Sequence, residues 1–203
     1  MTGKIIIHTV ILFFILSLSA YGQPAVVSEY YNISGDPTNE WTELLVIQDN
    51  VTLVGYFLRD NAGSGGEPDN WQGGVKFKDV RLWRNLRAGT VILIKHRGAS
   101  AVDEDKSDGY IEINAGNTTY FEKVCWGCAL ADWENSALNI AQASEIVQLL
   151  DPSENHVHSL SHIPNLNRQG DYAGIPSPKV CFHGDVNNGA TVRVVPGLSL
   201  SAY

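Results

Sequence analysis

Short β-rich runs, separated by clusters of Gly, Asn, Asp and Pro, fill the chain from Val26 onward and restrict the folds it can adopt more than any other feature. None of these runs carries a convincing helical period, and their length and composition are typical of strands. The predicted strands cover 26–31, 41–47, 53–59, 75–77, 90–95, 110–113, 146–150, 156–160 and 191–195. Many short strands with frequent turn signals predict an all-β sandwich or barrel.

Alternation within the runs predicts which side chains enter the core. The run 110–113 alternates polar and apolar residues, so one face should be buried and the other wet. The run 91–94 is apolar on both faces and should lie centrally in a sheet. Trp41 shares a period-two face with Leu45 and Ile47, which predicts a core position for the indole.

Composition limits the number of domains and the kind of partner. A chain of 203 residues with 44% hydrophobic residues is long enough for one well-filled core, and no second domain is evident. Its formal net charge of -8 argues against nucleic acid as a partner, because binding phosphates requires a stripe of Lys and Arg.

The N-terminus has the pattern of a secretory signal. Lys4 precedes an almost unbroken apolar run over 5–18, which at about 14 residues is shorter than the roughly 20 that a spanning helix needs. Ala20 and Gly22 then occupy the small-residue positions of a cleavage site before Gln23. We therefore expect a signal peptide over 1–22, a β-sandwich domain over 23–203, and a secreted, periplasmic or cell-surface protein that does not span the membrane. A retained N-terminal anchor is the alternative.

Export changes the interpretation of the three cysteines. An oxidising compartment favours one disulfide and one spare thiol among Cys125, Cys128 and Cys181. Loop-closure entropy favours a long bridge from Cys128 to Cys181, about 4 kcal/mol against about 2 kcal/mol for the short ring. We nevertheless predict the Cys125–Cys128 pair, because sequence neighbours need no fold to meet. A Cys3His zinc site with His183 and a redox-active Cys125–Cys128 pair are the alternatives.

Two polar groupings suggest metal ligands but lack the expected spacing. The acidic segment 103–109 does not place oxygen ligands and glycine in the register of an EF-hand loop, which favours a solvated turn over calcium binding. His156 and His158 share a strand face under strict alternation, and His162 follows, but no nearby acidic residue completes a site. We expect surface histidines, no metal and no cofactor.

No catalytic residue is predicted, since the chain lacks a G-x-S-x-G elbow or another nucleophile with a recognisable base.

Tryptophans are the remaining candidates for a functional surface. Trp71, Trp83 and Trp126 lie in or beside predicted loops, where indoles stack on sugar rings or anchor a protein partner. These three are the candidate ligand-surface residues. The alternative is that they cover an open end of the sandwich.

Two segments resemble a known family. Glu40-Trp41-Thr42-Glu43-Leu44 and the segment 49–60, which reads D-N-V-T-L-V-G-Y-F-L-R-D, are similar to the E-W-x-E-L and V-x-L-x-G-W-x-L-x-D motifs of lamin-tail domains. The segment 88–94 is similar to the family's next strand, and 26–30 resembles the opening of its bacterial exported members. Tyr56 replaces the commoner Trp after the glycine.

The resemblance implies an immunoglobulin-like β-sandwich that is not an enzyme by itself. It further implies an attachment or recognition module whose partner is a protein or a cell-envelope surface. A carbohydrate-binding module that uses the loop tryptophans is the second hypothesis. An enzyme-accessory or thiol-active domain built on Cys125 and Cys128 is the third.

Overall fold

The computed structural model describes residues 22–33, 39–61, 71–126, 138–141, 144–163, 172, 174–184 and 189–194. Within these ranges the protein forms twelve strands and a short 3-10 turn at Arg81–Trp83. The strands are β1 Ala25–Asn32, β2 Trp41–Val46, β3 Phe57–Asn61, β4 Trp71–Phe77, β5 Val91–Lys95, β6 Ala101–Asp103, β7 Tyr110–Asn114, β8 Phe121–Cys125, β9 Glu145–Leu150, β10 His156–Ile163, β11 Lys179–His183 and β12 Ala190–Arg193.

The strands form two six-stranded mixed sheets that pack face to face. The first sheet has the order β12-β1-β2-β5-β7-β6, and the second has β11-β10-β9-β3-β4-β8. The pairs β5–β7 and β10–β11 are parallel and the others antiparallel. The neighbours β1-β2-β5 follow the A-B-E order of an immunoglobulin domain, and β10-β9-β3-β4 follow G-F-C-C′. The predicted all-β, immunoglobulin-like sandwich is confirmed.

The core lies between the sheets and consists of alternate residues of each strand. Fully buried aliphatic side chains come from both sheets: Leu44, Val46, Ile92, Ile94, Ile111, Ile113, Leu58, Val75, Val147, Leu149 and Leu160. The predicted alternation in 110–113 is confirmed in β7. The apolar run 91–94 forms β5 between β2 and β7, the interior position expected for it.

The prediction that Trp41 enters the core is wrong. Thr42 and Leu44 belong to the buried face of β2, whereas Trp41 lies on the opposite, half-exposed face and stacks on Tyr31 with ring centres 5.8 Å apart. Ile47, which shares its period, is 43% exposed. Both faces of this strand carry large apolar residues, so a period of two fits either register.

The prediction that Trp83 belongs to a ligand surface is also wrong, because its side chain is completely buried. The ring lies 5.0 Å from Phe77 and 5.4 Å from Phe121, and its indole N–H donates to the Tyr120 carbonyl over 3.1 Å. Trp83 has arginines close to it in sequence, at 81 and 84, so its immediate neighbours do not mark it as a core residue. The aromatic residues that bury it come from β4 and the start of β8.

The prediction of surface histidines fails for His158 and His162, which are buried. Nδ1 of His158 accepts the backbone N–H of Val27 over 3.1 Å, and Nδ1 of His162 lies 2.7 Å from the Tyr30 hydroxyl. A register shift between His156 and His158 breaks the strict alternation that put them on one face. In the part of the chain that the structure describes, no group of three His, Cys, Asp or Glu side chains is arranged to hold a metal ion.

His158 should make the protein less stable in mild acid. Burial lowers the pKa of His158 to about 4, and His156, when it is protonated, acts in the same direction. An unfolded histidine titrates near pH 6.5, so below that pH the unfolded protein binds a proton that the folded protein excludes. We expect a loss of about 3 kcal/mol of unfolding free energy as pH falls from about 6.5 to about 4.

Urea unfolding across this pH range measures the effect of His158. In His158→Asn the side-chain oxygen can still accept the Val27 N–H, but the proton-binding site is gone. The variant should therefore lose less stability than the wild type on acidification. Parallel pH profiles for the two proteins would contradict the assignment.

The acidic segment 103–109 forms an exposed turn into β7, as predicted. Its carboxylates accept backbone N–H groups of the same turn: Asp103 binds the N–H of Asp105, and Asp108 binds that of Tyr110. Nζ of Lys106 donates to the Arg81 carbonyl over 3.2 Å. These local hydrogen bonds account for the acidic side chains as turn-forming residues.

Candidate functional site

The outer face of the second sheet is covered rather than bare. Phe57 and Arg59 of β3 lie opposite Leu150 and Gln148 of β9. Although these positions face away from the core between the sheets, Phe57, Gln148 and Leu150 are buried. A second layer of side chains must therefore lie on this face.

That layer is built around Arg59. The guanidinium carbon lies 3.8 Å from the ring centre of Trp71, which begins β4, and 5.1 Å from that of Trp126, which follows β8. Both indoles are half-buried. Two of the three predicted ligand-surface tryptophans are thus brought together on one cation, a favourable arrangement for both charge and stacking. Below, Trp71, Arg59 and Trp126 are called the Trp-Arg-Trp cluster.

Gly74 makes room for one ring of the cluster. It lies opposite Arg59 on the neighbouring strand β4. A Cβ at this position would collide with the Leu58 carbonyl oxygen and lie 2.9 Å from the Trp126 ring. The Trp126 ring also meets the edge of Phe57, with ring centres 5.9 Å apart. The absent side chain of Gly74 lets the indole lie close against the sheet.

A chain of hydrogen bonds from Arg59 through Gln148 and His156 to Pro178 holds the guanidinium in place. Nε of Arg59 donates to Oε1 of Gln148 over 2.8 Å, and Nε2 of Gln148 lies 2.7 Å from Nδ1 of His156. Nε2 of His156 lies 2.9 Å from the carbonyl oxygen of Pro178. The amide can donate only to an unprotonated Nδ1, so the neutral imidazole carries its proton on Nε2 and donates to Pro178. Burial lowers the pKa of His156, which favours this neutral form.

A small apolar cluster supports Trp71. It contains Ile146 of β9, Tyr172 and Ile175, with Trp71 and Cys181 packed against them. Nζ of Lys179 donates to the carbonyls of Tyr172 and Ile175 over 2.9 and 2.6 Å. These contacts attach the segment before β11 to the sheet and restrict the position of the indole.

The turn between β9 and β10 places a carboxylate beside Trp126. Glu154 adopts a left-handed φ of 62° in this turn, and its Oε2 accepts the Trp126 indole N–H over 3.3 Å. Asp151 stabilises the turn by accepting the N–H groups of Ser153 and Asn155 over 2.8 and 2.9 Å. Glu154 therefore lies at the rim of the cluster, close enough to affect Arg59 electrostatically.

Arg59 is partly desolvated, and the described residues do not supply an anion in contact with it. Burial lowers the pKa of Arg59 to about 10, and the Glu154 carboxylate opposes that shift. Within the described ranges no carboxylate forms an ion pair with Arg59, whereas Arg84 pairs with Asp79 and Arg193 with Glu29. At neutral pH the guanidinium is still protonated, so the face presents a half-buried positive charge between two aromatic rings.

A second polar group lies at one end of the core and is structural. Three buried carboxylates accept three consecutive backbone N–H groups: Asp60 binds that of Asn139 over 2.6 Å, Glu40 that of Ile140 over 3.0 Å, and Glu145 that of Ala141 over 2.8 Å. This arrangement, below called the carboxylate clamp, holds the segment 138–141 against both sheets.

Electrostatics of the clamp follow from its burial. Burial raises the pKa of Asp60 and of Glu145 well above their usual range, and the two carboxylates repel each other. His96 lies beside the clamp, with Nε2 2.9 Å from the Thr42 hydroxyl and Nδ1 3.5 Å from Oε2 of Glu40. Burial lowers the pKa of His96 and keeps the ring neutral at physiological pH. The sequence does not reveal this group, because its members lie on or beside β2, β3, β5 and β9, far apart along the chain.

The structure settles the bonding state of two of the three cysteines. Cys125 is disulfide-bonded, and Cys181 is a half-buried free thiol. A long bridge to Cys181 is therefore excluded. Cys128 lies outside the described residues, so the Cys125–Cys128 pairing stays a prediction. The zinc alternative required a thiolate at Cys125, and a disulfide sulfur is not one.

Trp71 and Trp126 were predicted from the sequence, but the cation that contacts both of them was not. The available signal was the two-residue period of a strand over 57–60, which puts Phe57 and Arg59 on the face opposite Leu58 and Asp60.

A signal peptide is predicted over 1–22, of which residues 1–21 lie outside the described residues. Among the described residues, no helix has the length and apolar character needed to cross a bilayer.

Comparison with known proteins finds no counterpart for this site. No protein-family model matches the sequence, and neither curated proteins nor solved structures show a significant match. A function for this protein therefore follows from the chemistry of its surface.

Proposed function

We propose that the protein is an exported, non-catalytic interaction module of lamin-tail type that binds a protein at the cell envelope through the Trp-Arg-Trp cluster. One observation carries this proposal: a half-buried guanidinium, without an ion-pair partner among the described residues, lies over two half-buried indoles on the face of the second sheet. Tryptophan and arginine are the residues most enriched among those that dominate protein–protein binding energy.

The cluster is preorganised, which favours binding. Gln148 fixes the guanidinium, Gly74 provides space for Trp126, and the apolar contacts of Ile146 and Tyr172 hold Trp71. Side chains that are already ordered lose little conformational entropy when a partner arrives. The site can therefore contribute affinity without a large rearrangement.

Binding is better supported than catalysis at this surface. His156 is the histidine next to the cluster, and both of its ring nitrogens already have partners, Gln148 and Pro178. A general base needs a free nitrogen facing the substrate. The imidazole instead serves to orient Gln148, and through it Arg59.

Lamin-tail type is supported by the two motif-like segments, and export by the signal-like N-terminus. The segment 40–44 supplies Glu40 of the carboxylate clamp and the first residues of β2, and 49–60 leads into β3. The segment 1–22 has the length and small-residue ending of a cleaved signal.

A carbohydrate-binding module is the second candidate, because Trp71 and Trp126 lie on one face. Sugar rings require an open aromatic face for stacking. Here Arg59 covers part of both rings, Phe57 meets Trp126 edge-on, and Trp71 packs on the apolar cluster with Tyr172. This occupancy favours a protein partner.

Loss of binding in Trp126→Ala tests the proposed function. The purified full-length protein is immobilised and exposed to envelope proteins of its host and to a glycan array. We expect a specific envelope protein whose retention falls at least about tenfold in Trp126→Ala, the loss typical of an interface anchor. Trp41→Ala, which removes a half-exposed indole from the other sheet, is the matched control and should bind normally.

Circular dichroism and unfolding curves of both variants exclude misfolding as the cause. Retention of a polysaccharide, lost in Trp126→Ala but not in Trp41→Ala, would replace the protein-binding proposal with the carbohydrate one. Equal binding by both variants would place the recognition surface elsewhere.

A further inference from the structure

Arg59 has more hydrogen-bonding capacity than the fold uses. A guanidinium offers five N–H donors. Its Nε N–H donates to Gln148, and in the described part of the protein no acceptor is bonded to Nη1 or Nη2. Arg87, by comparison, uses Nη2 to bind the Ser107 carbonyl over 2.8 Å. The terminal fork of Arg59 is therefore available to a ligand.

The two tryptophans restrict how a ligand can approach that fork. The guanidinium carbon of Arg59 lies over both the Trp71 ring and the Trp126 ring, so a ligand cannot approach it from the sides that the two indoles occupy. Gln148 takes the Nε edge. The edge that carries Nη1 and Nη2 is left, and its parallel donors match the two oxygens of a carboxylate.

We infer that Arg59 is the anchor for a single carboxylate of a protein partner, supplied either by an Asp or Glu residue or by the partner's C-terminus. This inference rests on the proposed function, since it names the group that the same cluster recognises. Trp71 and Trp126 then flank the bound carboxylate and contact the apolar atoms next to it.

Charge favours a carboxylate over a phosphate. The whole protein has a net charge of -8, and the Glu154 carboxylate lies at the rim of the cluster. Lys76 and Lys179 are further cations on this face, with Nζ 5.1 Å from the ring centre of Phe57 and 4.8 Å from that of Tyr172. Nζ of Lys179 already donates to the carbonyls of Tyr172 and Ile175. One guanidinium with an acidic neighbour suits a monoanion better than a dianion, which would face twice the repulsion. The partly occupied indole faces disfavour an acidic sugar, because its ring would need an open aromatic face.

The probe is a pair of capped tripeptides, acetyl-Ala-Glu-Ala-amide and acetyl-Ala-Gln-Ala-amide, titrated into isotope-labelled protein and followed by NMR. The indole N–H signals of Trp71 and Trp126 and the Nε–H signal of Arg59 report on the site. We expect saturable shifts of these three signals with the Glu peptide at millimolar concentration, and binding at least about tenfold weaker with the Gln peptide. Equal titrations by the two peptides would overturn the inference.

Variants distinguish the contribution of the two parallel donors of Arg59 from that of its positive charge. Arg59→Lys keeps the positive charge but loses the parallel donors, so its affinity for the Glu peptide should fall about tenfold. Arg84→Lys, at an exposed arginine paired with Asp79, is the matched control and should bind within about twofold of wild type. Glu154→Gln removes the acidic neighbour and should tighten binding. Unchanged affinity in Arg59→Lys contradicts the anchor role.

Two further arms test the ligand class. If inorganic phosphate or galacturonate shifts the same signals with higher affinity than the Glu peptide, that ligand would replace the protein carboxylate in this inference. Binding of the envelope partner to the variants distinguishes failure of this inference from failure of the proposed function. If the partner is lost in Trp126→Ala but binds Arg59→Lys normally, the interaction module stands and the carboxylate anchor is wrong.

Discussion

Replacing Trp83 by alanine should lower the free energy of unfolding by about 3–5 kcal/mol, the usual cost of removing a large aromatic side chain from a core. The indole is fully buried against Phe77 and Phe121, and its N–H donates to Tyr120. The substitution leaves a cavity that these rings can fill only partly, and it leaves the Tyr120 carbonyl without this donor. Chemical denaturation followed by circular dichroism measures the loss.

Two substitutions calibrate the Trp83 result. Trp83→Phe keeps most of the buried area but loses the N–H, so its cost should be smaller than that of Trp83→Ala. Trp41→Ala removes a half-exposed indole that stacks on Tyr31 and should cost clearly less. A Trp83→Ala protein as stable as Trp41→Ala would mean that Trp83 does not belong to the core.

Glu145→Leu is expected to lower the free energy of unfolding by about 3–5 kcal/mol. Glu145 accepts the N–H groups of Asn61 and Ile146, both over 3.2 Å, and that of Ala141 over 2.8 Å. Leucine leaves the N–H groups of Asn61 and Ala141 without that acceptor, whereas the Ile146 N–H keeps Oδ1 of Asn61 at 2.9 Å. An unsatisfied buried donor costs about 1–3 kcal/mol. Urea unfolding at neutral pH measures the difference. Glu145→Gln keeps a carbonyl oxygen and removes the repulsion with Asp60, so its loss should be smaller.

Glu145→Gln should also change the pH dependence of stability. Burial and the Asp60 carboxylate raise the pKa of Glu145 well above its usual range, so between the unfolded value near 4.3 and the folded value the folded protein holds a proton that the unfolded protein releases. The contribution of Glu145 is therefore complete below that unfolded value and is lost as pH rises. The difference in unfolding free energy between wild type and Glu145→Gln isolates this loss from the opposite effect of His158.

Glu122→Gln on β8, whose side chain is exposed, is the matched control for the loss of a carboxylate. If the pH profile of Glu145→Gln runs parallel to that of the wild type, Glu145 does not titrate as described. If Glu145→Leu is as stable as Glu145→Gln, the carboxylate clamp does not hold the segment 138–141.

Strands with one apolar face were readable from the sequence, and three of the four edge strands were not; the fourth, β12, was predicted over 191–195 from the alternation of Val192 and Val194 with polar residues. β7 alternates between Ile111 or Ile113 and polar residues, and that pattern alone predicts its buried face. β6, β8 and β11 were not predicted as strands, and each lies at the edge of a sheet. An edge strand buries less surface, so hydrogen bonds to a distant neighbour stabilise it more than its own pattern does. The predicted run 53–59 begins with a turn at Gly55, whose φ is 81°.

The candidate site shows the same division. Trp71 and Trp126 were identifiable as tryptophans near loops, but their shared contact with Arg59 depends on β4 lying between β3 and β8. Trp83 had the same local signals and is buried in the core. Local sequence does not distinguish the two situations, because burial depends on side chains from elsewhere in the protein.

Local chemistry accounts for the all-β class of this protein: its short β-rich runs and turn residues act between sequence neighbours, and they leave two packed sheets as the way to bury the apolar faces. Three-dimensional packing then selects between choices that are locally equivalent. A period of two allows Trp41 to face either way, a bulge separates His156 from His158, and the cation of the Trp-Arg-Trp cluster meets its rings through strand pairing. These outcomes depend on contacts between residues far apart in the sequence, whose energies no local pattern contains.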